Sequence, residues 1–376
     1  MAHALPAILG GVSVSASPYS SDKVLFHADR LLALRQGDTI APLHVQLIIS
    51  DLCNQDCNFC AYRMEGYSSN ELFEEIRQDG SRNHNPRRFL LYDKILEILD
   101  DCQEMGVKAI QITGGGEPSV HPHFEEVLDA VLARGLELAL VTNGLRLTTD
   151  EMTRLLRATW VRVSIDAATP ETYSRIRRTP FASFGRVLSH VGELVRMKRE
   201  AASSVTIGLG FVVTKDNWHE VLDATRLARD LGVDNLRISA VFQADQAAYF
   251  DGFYREAASL CQEAVATYAS ERFHVVNNFG ERVDDLAIGH PDYRYCGYQS
   301  LTTYIGADQN VYRCCVLAYS TRGLLGSLQT QRFKDLWRAR GTQADFDAHD
   351  CPRCQFNGKN KAILSVLVTP THENFV

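Results

Sequence analysis

Apolar and amphipathic stretches alternate along most of this chain. His44–Ser50 is a short, mostly apolar run, which predicts a buried strand. Asp93–Met105 places Ile95, Leu96, Ile98 and Leu99 at helical spacing, and Gly106 ends it. The beat then repeats. Strands are predicted at Val107–Ile112, Leu136–Val141, Trp160–Ile165, Val205–Val213 and Val233–Ser239. Helices are predicted at Phe124–Arg134, Asp150–Arg157, Ser183–Glu200 and His219–Leu231, with Gly135 and Gly232 as stops. Apolar strands alternating with helices argue for an α/β protein with a parallel sheet covered by helices. About six such units are expected, fewer than the eight of a full TIM barrel.

The flanks read differently. Residues 1–43 form a poorly patterned N-terminal extension with one short helix at Asp22–Arg35. Met64–Arg88 is long and polar, which fits a lid or contact element better than a passive connector. The barrel is expected to occupy 44–250 and a helical linker 251–290, with a helix at Phe253–Glu271. In 291–376, two short strands around Ala307-Asp308-Gln309-Asn310 predict a β-hairpin, and a helix follows near Phe333–Arg338. That makes a small C-terminal hairpin/helix domain with a tail.

Composition narrows the class. The chain has 376 residues, 45% hydrophobic and 23% charged, with a formal net charge of -7. It shows no lysine- and arginine-rich run, so nucleic acid is not an expected partner. No apolar stretch reaches the ~18 residues of a membrane span. Met1–Ser17 lacks a basic n-region, and Pro6 and Gly10-Gly11 interrupt it, which argues against a signal peptide.

Ten cysteines are many for such a chain. Their tight clustering favours metal binding and a reducing, cytoplasmic setting over disulfides. Cys53, Cys57 and Cys60 stand in C-x3-C-x2-C spacing directly after the first strand. Three thiolates on one loop can hold three irons of a [4Fe–4S] cube and leave the fourth iron open. A zinc site is the alternative for such spacing. Cys296, Cys314, Cys315, Cys351 and Cys354 form a second set around the hairpin. Adjacent positions on a strand face opposite ways, so Cys314 and Cys315 are not expected to share one centre. Cys102 and Cys261 lie on helices and read as packed thiols.

These features resemble the radical S-adenosylmethionine (SAM) enzymes. The resemblance covers roughly residues 44–356. It implies an α/β fold with a partial (βα)6 TIM-like barrel, in which Cys53, Cys57 and Cys60 hold the SAM-binding [4Fe–4S] cluster at the C-terminal ends of the strands. Gly114-Gly115-Gly116-Glu117 follows the second strand and contains the family's Gly-Gly-Glu motif, which holds the SAM amino group. Glycine carbonyls, or Glu117 itself, are acceptors for that ammonium. Asn143 and Ser164 end the third and fourth strands, and Asp166 follows as a ribose-binding or turn residue. Arg177 best matches a loop arginine that contacts SAM, with Arg175 and Arg178 as alternates. A planar guanidinium suits the SAM carboxylate.

The second cysteine set resembles the twitch domain, a shortened SPASM domain. That implies one auxiliary [4Fe–4S] cluster on Cys296, Cys314, Cys351 and Cys354, with a zinc ribbon as the alternative. Cys315 is then a spare thiol, a catalytic hydrogen donor or a packed or swapped one. The resemblance implies reductive cleavage of SAM to a 5′-deoxyadenosyl radical, fed by a flavodoxin- or ferredoxin-type donor. Hydrogen abstraction from a polar small molecule, for oxidation or epimerisation, is the expected outcome. Modification of a ribosomally made peptide is the alternative, although 43 residues before the first strand are few for a dedicated leader-binding domain. The tail Thr371–Val376 lacks the double glycine expected of the molybdopterin-type cyclase. A non-catalytic iron–sulfur or zinc protein is the distant third reading.

Overall fold

The computed structural model describes residues 19–64, 71–76, 78–83, 86–243, 245–341 and 346–369. Met1–Ser17 and Thr371–Val376 lie outside the described residues, as does part of Met64–Arg88.

One ten-stranded sheet organises the chain. Its strands are β1 (His44–Ile48), β2 (Ala109–Thr113), β3 (Glu137–Thr142), β4 (Trp160–Ser164), β5 (Thr206–Val213), β6 (Asn235–Ala240), β7 (His274–Asn278), β8 (Thr302–Ile305), β9 (Asn310–Tyr312) and β10 (Leu324–Ser327). Their order across the sheet is β10-β9-β8-β1-β2-β3-β4-β5-β6-β7. From β8 through β1 to β7 every pairing is parallel, and β9 and β10 add antiparallel strands at one edge.

Period-two alternation gives the sheet two different faces. Val45, Leu47, Ile110, Ile112, Leu138, Leu140, Val161 and Val163 are buried in the main core. Against them lie the apolar stripes of α2 (Tyr92–Met105), α3 (Phe124–Ala133) and α6 (Ala182–Glu200), including Ile95, Ile98, Leu128, Val131, Val187 and Val191. Each such side chain contributes about 1.5–3 kcal/mol on burial. The alternate positions His44, Gln46, Gln111, Thr113, Arg162 and Arg237 line a lumen of about 1050 Å³. Cys102 and Cys261 are fully buried in the main core.

Three expectations need correction. The 251–290 linker is not only helical: α8 (Tyr254–Tyr268) is followed by β7, which extends the parallel sheet, and by α9 (Phe279–Ile288). The predicted hairpin exists as β8 and β9, but β8 pairs in parallel with β1, so it continues the barrel sheet. The expected N-terminal helix divides into a 3-10 turn at Ser21–His27 and α1 (Ala28–Arg35). Val24 and Leu31 pack with Ile363 of a C-terminal helix the pattern did not reveal, Asn357–Leu367.

The exit of β1 is fixed by a buried carboxylate. Asp51 is inaccessible to solvent; Arg88 Nε donates to its Oδ2 at 2.9 Å, and the Tyr319 hydroxyl donates to its Oδ1. Arg88 also donates through Nη2 to the Phe73 carbonyl at 2.8 Å. The Thr321 backbone N–H donates to Glu71 at 2.9 Å. The described part of Met64–Arg88 is thus a contact element joining the barrel to the C-terminal domain. Tyr319→Phe removes one donor from a buried carboxylate and is expected to cost about 1–2 kcal/mol in urea unfolding.

Candidate metal centres

The loop leaving β1 carries Cys53, Cys57 and Cys60, all partly exposed. The Cys60 N–H donates to the Cys57 carbonyl at 3.1 Å, which folds the loop into a turn. Each sulfur faces its own N–H donor. Asn143 Nδ2 lies 4.0 Å from Cys53, Arg177 Nη1 3.7 Å from Cys57, and Arg63 Nη1 3.6 Å from Cys60. Burial pushes the Cys53 and Cys57 thiols up to about 12 and about 11. Proton loss there therefore needs a compensating cation, which bound iron supplies. Donors aimed at sulfur also tune a bound cluster.

Gly114–Gly116 lie directly under this loop. The Gly116 N–H donates to the Ser50 carbonyl at 3.0 Å and the Glu117 N–H to the Leu52 carbonyl at 2.9 Å. A Cβ on Gly116 would stand 2.2 Å from the Leu52 carbonyl oxygen, and one on Gly115 2.5 Å from Asp51 Oδ1. These glycines are required for close approach of two loops, in addition to any approach to a ligand. Glu117 is buried and occupied. Its Oε1 accepts from Ser119 N–H, Ser119 Oγ and Thr142 Oγ1 at 3.1, 2.8 and 2.5 Å, and its Oε2 from Asn143 N–H at 2.7 Å. Oε1 is thus fully engaged, whereas Oε2 has one donor among the described residues.

Ser164 ends β4 opposite Gly210 of β5. Beyond it, the stretch expected as a basic loop is a helix, α5 (Pro170–Arg177), capped by Thr169 and ending at Arg177. Asp166 has a φ of +54° and is buried. Its Oδ1 accepts from Val212 N–H at 2.6 Å, and its Oδ2 accepts from Arg177 Nη2. Each oxygen thus accepts one bond within the protein, and Asp166 sits in the turn after β4. Arg177 gives Nη1 to Gln55 Oε1 at 2.9 Å and to the Cys57 sulfur. Its fork is turned towards Asp166 and the cysteine loop, whereas Arg175 meets the Asp216 carbonyl and Arg178 meets Asp56. Gln55, Arg63 and Glu220 were not singled out from sequence. Glu220 receives Ala168 N–H at 2.6 Å and Thr172 Oγ1 at 2.5 Å, which fixes the start of α5.

The second set separates as its chemistry requires. Cys296, Cys314, Cys351 and Cys354 line one small cavity. Cys315 instead lines the lumen, where Gln355 Nε2 lies 2.9 Å from its sulfur. The two cysteines do not lie on a strand as expected: β9 ends at Tyr312, and a turn divides them between the cavities. Cys354 receives the Phe356 N–H at 3.3 Å, and the Tyr293 hydroxyl lies 3.3 Å from it. Burial raises all four cavity thiols above their usual range, Cys296 to about 12 and Cys351 to about 11. Among the described residues, no three His, Cys, Asp or Glu side chains are gathered tightly enough to share one metal ion. A cubane asks for a wider arrangement, because each thiolate takes its own iron. In donor chemistry, both cysteine sets fit such a group.

Residues 47–225 match the Radical SAM superfamily. A tungsten-containing aldehyde ferredoxin oxidoreductase cofactor-modifying protein of Pyrococcus furiosus is 29% identical over 201 residues, 52% of this chain and 51% of that protein. The match therefore spans about half of that relative's length. An AdoMet-dependent heme synthase of Methanosarcina barkeri is 25% identical over 323 residues, 80% of this chain and 83% of that one. Among solved structures, Streptococcus suis SuiB bound to precursor peptide SuiA shares the fold, with a TM-score of 0.58, 12% identity, and coverage of 87% of this chain and 72% of that one.

The Asp166–Arg177 pair offers a direct test of how the cysteine loop is held. Asp166→Asn leaves a buried guanidinium without its counter-charge. It is expected to destabilise the protein by about 3 kcal/mol, read as a lower urea midpoint.

Proposed function

The chain belongs to the radical SAM superfamily, and from that premise we propose that it abstracts a hydrogen atom from a substrate in the barrel lumen and releases an oxidised product. Cys53, Cys57 and Cys60 would hold the family's [4Fe–4S] cluster, and Cys296, Cys314, Cys351 and Cys354 a second one. When bound, these groups with SAM supply the 5′-deoxyadenosyl radical and a one-electron acceptor. A flavodoxin- or ferredoxin-type protein is the proposed electron donor, and the reducing cytoplasm the proposed setting.

The chain's own residues then have distinct tasks. Asn143, Arg177 and Arg63 direct N–H groups at the three loop sulfurs. Carbonyls of Gly114–Gly116 accept from the SAM ammonium. Glu117 and Asp166 act as positioning residues that hold the glycine turn and Arg177. Tyr62 and Thr113 bring the lumen up to the ends of the strands, beneath the cysteine loop.

One observation carries the oxidative reading. Cys314 lines the four-cysteine cavity and its neighbour Cys315 lines the lumen, so a single peptide unit separates substrate space from the second centre. Epimerisation is the reading favoured if Cys315 instead returns a hydrogen atom. A peptide substrate is the second reading, because a protein of the same fold has been solved with its precursor peptide bound.

Anaerobic reconstitution is expected to load about eight irons per chain, and about four when Cys53, Cys57 and Cys60 are all alanine. That triple variant should make no 5′-deoxyadenosine; undiminished SAM cleavage would refute the assignment. With substrate in D2O, Cys315→Ala should keep turnover, and the product carbon should carry no solvent deuterium. Deuterium in the wild-type product that vanishes in Cys315→Ala would replace oxidation with epimerisation.

A further inference from the structure

We propose that the substrate carries an acidic group, a carboxylate or a phosphate, seated between Arg162, Arg237 and Lys359 deep in the lumen. This rests on the reading above that the lumen is the substrate space. It narrows the polar small molecule expected from the sequence to an anionic one.

The sheet register creates the seat. Arg162 of β4 stands opposite Gly208 of β5, and Gly210 of β5 stands opposite Arg237 of β6. The strand between the two arginines thus presents glycines, and a Cβ on Gly210 would touch the Arg162 stem at 3.5 Å. Two guanidinium groups flank a bare strip of backbone. Lys359 reaches the same lumen from the C-terminal helix.

Among the described residues, none forms an ion pair with Arg162, Arg237 or Lys359. Arg237 makes no hydrogen bond or ion pair with a described residue; its Nε is buried without a partner, and the Tyr19 ring lies 5.6 Å from the guanidinium. Arg162 lies 5.5 Å from the Trp160 ring, and Lys359 lies 5.8 and 5.7 Å from the rings of Tyr298 and Phe356. Arg282 of α9 does have a partner, Asp285 at 3.2 Å, yet its Nε is also unpaired. Among the described residues lining the lumen, six lysines and arginines face two carboxylates, Glu137 and Glu281. The sequence before Asp22 contains no Asp or Glu to neutralise them.

Such a cluster costs the empty fold free energy. Burial, with repulsion from Arg162 and Arg282, lowers Arg237 to about 9, and burial also lowers Arg282 and Lys359. An anion would remove that cost and satisfy the free donors with charge-assisted hydrogen bonds. Arg282 feels the Cys354 thiol of the second cysteine set, but Arg162, Arg237 and Lys359 do not line that cavity, whose arginines are Arg313 and Arg353. Arg237 lies three residues before the end of β6, roughly 10 Å along the strand. The acidic group therefore sits well below the cysteine loop, and the rest of the substrate reaches upward to the reacting position.

Isothermal titration calorimetry of the reconstituted full-length protein, with tricarballylate and with inorganic pyrophosphate, tests this. Saturable binding of either probe is expected, and the tighter one assigns carboxylate or phosphate. Arg162→Gln and Arg237→Gln should each weaken binding on the order of tenfold. The melting temperature of Arg237→Gln should match or exceed wild type, since an uncompensated cation has been removed. The proposal is overturned if neither probe binds, if the variants bind as tightly as wild type, or if Arg237→Gln melts lower. SAM cleavage, followed in parallel, separates the two readings. Its absence would defeat the proposed function and leave the anion result standing, whereas cleavage without anion binding would defeat this inference alone.

Discussion

The buried carboxylate of Asp51 is the constraint on which the rest of the structure depends. It sits at the end of β1, immediately before the first cysteine loop. Burial raises it to about 7, and the Arg88 guanidinium and the Tyr319 hydroxyl offset part of that cost. Arg88 comes from the segment that bridges to the C-terminal domain, and Tyr319 comes from that domain itself. Tyr319 adopts a φ of +55°, a conformation that needs support from its surroundings. The glycine turn closes the fourth side, with no room for a Cβ at Gly115. One charge thus ties together four parts of the chain that are far apart in sequence.

A second buried charge repeats this logic on the other flank of the loop. Arg177 connects Asp166 after β4 to Gln55 and Cys57 on the cysteine loop. Glu220 then anchors the beginning of the helix that ends at Arg177. The loop is consequently held from both sides by buried ion pairs, Asp51–Arg88 and Asp166–Arg177, although Arg177 Nε has no described partner. Such preorganisation suits a centre whose ligands must keep their spacing when a cluster is inserted.

Much of this was legible in the sequence, for identifiable reasons. The βα beat is visible because strands covered by helices concentrate apolar residues, and helices here end at glycines such as Gly106 and Gly232. The first cysteine set is compact in sequence, Cys53 to Cys60, whereas the second is spread from Cys296 to Cys354 and is brought to one cavity by the fold. The seventh strand was missed because His274–Asn278 is short and carries two asparagines, so it lacks an apolar run. The helical setting of Arg177 was missed because Arg175, Arg177 and Arg178 look like a solvated run, while the buried partner Asp166 is eleven residues away. Glu117 was half legible: its motif marks the turn and Ser119 caps it locally, but its donors Thr142 and Asn143 are contacts that no local pattern encodes. The lumen arginines left a signal that was not used, a cation at an inward position in each of two otherwise apolar strands.

The parallel pairing of β8 with β1 has a consequence for how this protein is made. His44 and Thr302 are register partners. The first strand to leave the ribosome therefore waits for more than two hundred residues before its outer neighbour exists. Until then β1 presents an open edge, of the kind that invites mispairing, and closure of so long a loop is slow. A fragment ending before β8 would be a sheet with an unprotected flank beside its cysteine loop, rather than a smaller version of the enzyme. Synthesis must pass β8 before the first three cysteines have their final wall.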